Sequence, residues 1–276
     1  MRGDVSSQFV SAVLMIAPLA GGITLTLEGD TVSRPYIDMT LALMRHFGID
    51  AQECVNMGSE LASSAMLQTT IVVPAGNYRS ATCYVEGDWS AASYWFALKA
   101  LQPQSRITLS PLRQNSLQGD SAIVEMMAPL GVKAQFLEDD KVVLSSDKAR
   151  LVHTYRRDMA ETPDLVPTLA VTLCLLRVPF VLTGVATLRL KESDRLEVLR
   201  VELAKLGYSL EVGDNGLRYN GNHNEINGEV TLSPHGDHRI AMALSLAATR
   251  HPGITIKDAE VVTKSYPNWW EQLINA

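Results

Sequence analysis

Cysteine is scarce in this chain: Cys54, Cys83 and Cys174 are its only three in 276 residues. Odd in number, widely spaced and without a Cys-x-x-Cys pair, they argue against a disulfide framework or a zinc ribbon and fit a reducing cytoplasm. Long apolar runs are missing too. No segment approaches the roughly 20 apolar residues needed to span a bilayer. The longest candidate, Leu165 to Leu182, carries Pro167, Arg177 and Pro179 and reads as a buried helix. The opening stretch from Met1 to Gln8 is too polar for a secretory signal. Positive charge is in deficit, with 24 Lys and Arg against 30 Asp and Glu and a net charge of -6. A chain built to coat nucleic acid or an anionic membrane has the opposite balance, so any anionic ligand must be held by a local basic cluster.

What is present is ordinary globular composition, 46% hydrophobic and 20% charged, with length for one large or two medium domains. The chain repeats itself. Four times an apolar helix is followed by a short β-branched strand, a polar loop and an amphipathic helix that in the first three copies closes at glycine. The copies begin near residues 6, 89, 164 and 238, at steps of 83, 75 and 74. The first contains helices over Ser6 to Leu19 and Pro35 to Phe47 around the strand Ile23 to Leu27. The second contains the helix Trp89 to Leu101, the strand Ile107 to Leu109 and a helix ending at Gly131. The third runs from the helix Asp164 to Leu176 through the strand at Phe180 to a helix ending at Gly207. The fourth spans the helix Asp237 to Ala248, the strand Ile254 to Ile256 and a last helix at Trp269. Leu196, Leu199, Leu203 and Leu206 fall on one helical face, and Gly207 stands where a left-handed C-cap belongs. Lys141 to Leu144 and Gly228 to Leu232 add strands between modules. The expected fold class is α/β, with helices buried against sheets.

Polar residues recur at the helix entrances of every module. They are Ser6, Ser7 and Gln8; Ser33, Arg34 and Tyr36; Asn115, Ser116 and Gln118; Asp164; Lys191, Glu192 and Arg195; Asp237, His238 and Arg239; and Lys264. Equivalent positions in stacked repeats face the same side, and helix starts offer backbone N–H groups suited to phosphate.

Seven strings at these positions resemble, in order, those of the enolpyruvyl transferases, and among them the 5-enolpyruvylshikimate-3-phosphate (EPSP) synthase family. They are Gly3 to Phe9, Gly29 to Tyr36, Glu86 to Tyr94, Pro163-Asp164, Leu190 to Leu196, Asp237 to Met242, and Thr263 to Pro267. The family also carries Gly-Ser-Lys-Ser and Gly-Asn-Ala-Gly-Thr stretches upstream, and neither occurs here. The chain therefore resembles the carboxy-terminal two-thirds of such a protein. The resemblance implies an inside-out α/β barrel of βαβαββ modules, truncated at its amino terminus. One module of the amino-terminal domain would fill residues 1–85, and three modules of the carboxy-terminal domain residues 86–276.

The implied reaction moves the enolpyruvyl group of phosphoenolpyruvate to the 5-hydroxyl of shikimate 3-phosphate and releases phosphate, with no metal or redox cofactor. The partners implied are small anionic substrates and the missing amino-terminal segment of the same protein, not nucleic acid or membrane. By resemblance Asp164 is the base near the 5-hydroxyl, Glu192 the proton donor to the vinyl carbon, and His238 lies by the transferring group. Ser6, Ser7, Gln8, Ser33, Tyr36, Asp164 and Lys191 would hold shikimate 3-phosphate, and Arg195, Arg239 and Lys264 phosphoenolpyruvate. Partial burial at the start of an apolar helix is expected to raise the pKa of Asp164. Asp164 also suits an ordinary helix start, Glu192 a solvated one, and Ser6 an N-cap. His235, Asp237 and His238 lack the further ligands a metal site needs. His46, His153, His223 and His251 read as surface or structural, and Trp269 and Trp270 as packing. Thr187 departs from an Asn common in the family, which puts one substrate contact in doubt. A UDP-N-acetylglucosamine enolpyruvyl transferase and a non-catalytic repeat fragment are the competing readings, and the chain alone is expected to be inactive.

Overall fold

Gly207 shows how local sequence fixes this architecture. It follows helix α6 (Arg195–Lys205) at φ 83°, and a Cβ there would lie 1.9 Å from the Asn224 carbonyl oxygen, so only glycine both ends the helix and lets the backbone at Asn224 pass. The computed structural model describes residues 1–4, 6–57, 67–147 and 151–276. Val5, in the first of the seven strings, lies outside them.

Residues 1–85 with 117–119 form one compact unit, and residues 86–116 with 120–276 a second. The first contains α1 (Ser7–Ile16), β1 (Ile23–Glu28), α2 (Arg34–His46), β2 (Gln52–Met57) and β3 (Leu67–Val73). Its sheet is antiparallel in the order β1-β3-β2, with Ile23 opposite Val73 and Gln52 opposite Val72. Alternation puts Leu25 and Leu27 of β1 on the buried face, where they meet Val10 and Leu14 of α1 and Ile37 and Met44 of α2.

The second unit contains α3 (Trp89–Leu101), β4 (Ile107–Leu109), α4 (Ile123–Met127), β5 (Val132–Leu137), β6 (Lys141–Ser146) and β7 (Tyr155–Asp158). There follow α5 (Val166–Leu175), β8 (Phe180–Thr183), α6, β9 (Tyr208–Val212) and β10 (Gly216–His223). The chain ends with β11 (Val230–Leu232), α7 (His238–Ser245), β12 (Ile254–Ile256) and α8 (Trp269–Ile274). One βαβαββ module is complete within it: β7, α5, β8, α6, β9 and β10 form a sheet in the order β7-β8-β10-β9, parallel at β7-β8 and antiparallel elsewhere. The β4-β6-β5 sheet and the parallel β11-β12 pair repeat parts of that plan.

Helices α3, α5 and α7 pack together at the centre of the second unit. Every residue of α5 is buried, as the apolar run from Leu165 predicts; each Leu or Val so buried stabilises the fold by about 1.5–3 kcal/mol. Leu196, Leu199, Leu203 and Leu206 are fully buried, and Trp269 packs against Tyr94 and Trp95. The helix expected to end at Gly131 is instead α4 between two 3-10 turns, Gly119–Ala122 and Ala128–Leu130; Pro129, which has no N–H to donate, stands in the second. The helix expected from Asp164 begins as a 3-10 turn, Pro163–Leu165, before α5.

Candidate active site

Three helix starts of the second unit bring their charged residues together around Arg195, the first residue of α6, whose side chain is 1% exposed. Its Nε donates to Asp237 Oδ2 at 2.7 Å, its Nη1 to Asp164 Oδ1 at 2.7 Å, and its Nη2 to Glu192 Oε2 at 2.8 Å. Asp164 comes from the turn before α5, Glu192 from the turn before α6, and Asp237 is the N-cap of α7. Two further cations close on Asp164, Arg239 Nη2 at 3.3 Å and Lys191 Nζ at 3.4 Å, while Lys264 Nζ donates to Glu192 Oε1 at 2.7 Å. Four cations thus meet three carboxylates. Arg195 and Asp237 are fully buried, Lys264 is exposed and the others are half-buried; burial of the first two is tolerable because each has partners, and removal of one would leave its counterpart uncompensated.

The electrostatics correct the expectation for Asp164. Burial does push its pKa up, but Arg239, Lys191 and Arg195 outweigh burial and hold the carboxyl well below the usual range. For Glu192 burial again acts upward, and the Lys264 hydrogen bond with the Arg195 charge brings it down to about 2. Both are ionised at neutral pH in this unliganded arrangement. Burial, helped by the neighbouring Arg239 charge, lowers the His238 pKa, so its imidazole is held neutral; its Nδ1 is buried with no hydrogen-bond partner. Arg239 is kept cationic against burial by the carboxylates of Asp164, Asp120 and Asp88.

The sequence puts Asp237 among the polar residues at helix entrances, at the head of the string Asp237 to Met242 and in a weak metal reading with His235 and His238, with no role as a partner of Arg195. The structure makes it Arg195's main partner and, through Oδ1, the acceptor for Arg239 N–H at 2.9 Å. An Asp directly before a helix carrying His and Arg was the available signal. Thr187 is buried at its Oγ1, which has no partner. His235 points Nε2 toward Glu202 Oε1 at 3.3 Å while Asp237 serves Arg195, so these two hold separate partners. His223 packs at a tilt against Tyr208, and His251 meets the same ring edge to face.

The first unit holds the remaining candidates. Ser6 caps α1 and accepts from Gln8 N–H at 3.4 Å; Ser7 is buried and Gln8 exposed. Ser33 is buried in the left-handed region at φ 53°, and its carbonyl accepts from Tyr36 N–H at 3.1 Å. Arg34 is occupied by Asp38 at 2.8 Å and by Glu53. A hydroxyl pair, Ser11 and Thr40 at 2.7 Å, ties α1 to α2.

The sequence matches the family model for EPSP synthase (3-phosphoshikimate 1-carboxyvinyltransferase) over residues 1–273. A 3-phosphoshikimate 1-carboxyvinyltransferase from Bacteroides fragilis is 41% identical over 278 residues, covering 100% of this chain and 64% of the relative. One from Syntrophobacter fumaroxidans is 40% identical, covering 96% and 59%. Among solved structures, EPSP synthase from Acinetobacter baumannii superposes with a TM-score of 0.68 at 22% identity, over 99% of this chain and 60% of that one. The enolpyruvyl transferase NikO from Streptomyces tendae gives 0.64 at 18%, over 98% and 59%. The chain therefore spans about 60% of the length of the proteins it matches, and the structural likeness is one of fold.

Proposed function

The chain belongs to the EPSP synthase (3-phosphoshikimate 1-carboxyvinyltransferase) family, and from that premise we propose that it is the larger part of an enzyme transferring the enolpyruvyl group of phosphoenolpyruvate to the 5-hydroxyl of shikimate 3-phosphate. Residues 1–85 would be a module of the amino-terminal domain and 86–276 the carboxy-terminal domain. The observation that carries the reading is the cluster of Lys191, Arg195, Arg239 and Lys264 interlocked with Asp164 and Glu192.

The chemistry follows from the charges. Arg239, Lys264 and Arg195 would hold the carboxylate and phosphate of phosphoenolpyruvate, for which the planar guanidinium fork is suited. Lys191, with Ser6, Ser7, Gln8, Ser33 and Tyr36, would hold shikimate 3-phosphate. Each arriving anion competes for the cations that now hold the Asp164 and Glu192 pKa values down, so substrate binding raises the proton affinity of both. Asp164 then accepts the 5-hydroxyl proton as the oxygen attacks, and Glu192 delivers a proton to the vinyl carbon, with His238 beside the transferring group. The C–O bond to phosphate breaks, the Glu192 carboxylate takes a proton back from that carbon as the double bond re-forms, and the proton held by Asp164 leaves with the phosphate. None of these steps requires a metal or redox cofactor.

The names of the curated relatives favour shikimate 3-phosphate over UDP-N-acetylglucosamine as acceptor. The odd number and wide spacing of Cys54, Cys83 and Cys174 support a reducing, cytoplasmic setting. Among the described residues no helix is long and apolar enough to cross a membrane. Phosphate release from phosphoenolpyruvate tests the reading, with each acceptor in turn, for the chain alone and with the segment that its relatives carry in addition. The expected result is no turnover by the chain alone and shikimate-dependent turnover after addition. Turnover by the chain alone at about 1 per second or faster would show that the absent segment is dispensable, and turnover only with the nucleotide sugar would replace the acceptor.

A further inference from the structure

A carboxylate outside the proposed chemistry is buried in an apolar setting. Glu202 is 1% exposed, on the same face of α6 as the fully buried Leu199 and Leu203. An ion there is costly unless its oxygens are satisfied. Glu202 Oε2 accepts from Ser233 N–H at 2.8 Å and from Lys205 Nζ at 2.7 Å, and Oε1 faces His235 Nε2 at 3.3 Å. Two of those three partners lie in the turn that runs from the end of β11 to the start of α7.

That turn needs holding. His235 and Gly236 are both left-handed, at φ 51° and 75°, a conformation unfavourable for histidine. The turn closes through Asp237 N–H to the Pro234 carbonyl at 3.0 Å and delivers Asp237, which caps α7 and receives Arg195. Arg195 and Glu202 are seven residues apart, two turns along one helix face. A single helix therefore grips both ends of the turn, Asp237 through Arg195 and Ser233 with His235 through Glu202.

We propose that Glu202 is a positioning residue that sets the Ser233-to-Asp237 turn and through it the presentation of Asp237 and Arg239. Its effect on catalysis rests on the function proposed above; its effect on the turn does not. Glu202→Leu keeps the volume and suits the apolar neighbours but offers the turn no acceptor, while Glu202→Gln keeps an acceptor for Ser233 N–H. Amide exchange on the 276-residue chain should show Ser233, Arg239 and Ile240 exchanging roughly tenfold faster in Glu202→Leu, about one charged hydrogen bond's worth. Exchange in α5 should be unchanged, and Glu202→Gln should lie between. In the protein completed with the absent segment, Glu202→Leu should raise KM for phosphoenolpyruvate about tenfold with KM for shikimate 3-phosphate unchanged, and Glu202→Gln should recover most of it. Unchanged exchange at Arg239 and Ile240 in Glu202→Leu overturns the proposal, as does a uniform rise across α5 and α7, which marks a packing role only. If Glu202→Leu does not fold, Glu202→Gln is judged alone, and wild-type exchange in it overturns the proposal. A completed wild-type protein without transferase activity removes the functional reading and leaves the exchange result to decide Glu202.

Discussion

Helices α1 and α5 open equivalent modules and are similarly apolar, yet they are buried differently. Every residue of α5 is enclosed, whereas α1 buries only Ser7, Val10 and Leu14 and leaves Phe9 at 64% and Ile16 at 63% exposure. The difference lies in the number of neighbours of the same kind. In the second unit α5 packs between α3 and α7, so apolar residues on all its sides find partners. In the first unit α1 has α2 and one sheet, which cover a single face. A sequence apolar all round is one suited to burial all round, and the exposed face of α1 is where the proposed missing modules would stack.

The comparison extends to chemistry, where the largest effect is expected. If the enclosed unit fixes the reacting groups and the other mainly binds, substitutions in the two should split differently between kcat and KM. In the completed protein Asp164→Asn should lower kcat by roughly 10²–10⁴-fold with shikimate 3-phosphate still bound, because its shape survives and its basicity does not. Ser7→Ala should instead raise KM for shikimate 3-phosphate about tenfold or more, the loss of one hydrogen bond to a charged group, with kcat little changed. Steady-state kinetics on both variants checks the split; near wild-type turnover in Asp164→Asn would remove Asp164 from the mechanism.

Stability should follow the same division. In the chain alone Leu169→Ala, at a fully buried α5 position, should cost about 2–5 kcal/mol. Ile16→Ala should change stability by no more than about 0.5 kcal/mol. Denaturant unfolding measures both. Amides of α1 should also exchange faster than those of α5. Equal protection of the two helices would mean that α1 already has neighbours, for instance in a dimer. If Ile16→Ala becomes costly once the absent segment is added, that segment is what covers α1.

Much of this was legible from residue order. The helix-strand-helix repeat, the Leu196, Leu199, Leu203 and Leu206 face and the Gly207 cap rest on local periodicity and backbone conformation, and the structure has all three. Two strands of the first unit stand outside that repeat: Leu67–Val73, whose β-branched run from Thr69 to Val73 is a local strand signal, and Gln52–Met57, which has little such signal and gains its structure by pairing with it. The helix start at Asp164 was visible, but the direction of its pKa shift was not. Burial alone argues for a rise, and the fall comes from Arg239 and Lys191, which lie 75 and 27 positions away in sequence. Glu202 carries no sequence signal as an anchor, since its partner at Ser233 is a backbone N–H.

The smallest expected effect is on acid stability, and it should belong to the second unit. His238 and His251 there have pKa values below the ordinary 6.5, each chiefly through burial, with Arg239 adding to the first and His223 to the second. A histidine whose folded pKa is lowered binds its proton more readily when unfolded, so its stabilising contribution is full above about 6.5 and is lost as pH falls. Asp164 and Glu192 act in the same direction at lower pH. Their folded values lie below the ordinary 3.8 and 4.5, so their contribution holds above that range and is lost as pH drops toward 2. All four tryptophans, Trp89, Trp95, Trp269 and Trp270, lie in the second unit, so fluorescence reports its unfolding alone. The thermal midpoint read this way should fall by a few degrees between pH 7 and pH 5, about 2–4 °C for each kcal/mol lost in a domain of this size. His251→Gln, which keeps a partner for the Tyr208 hydroxyl and cannot titrate, should flatten part of that slope. A midpoint that stays level or rises between pH 7 and pH 5 would show that burial does not hold these imidazoles neutral, and with it would go the tighter enclosure claimed for the second unit.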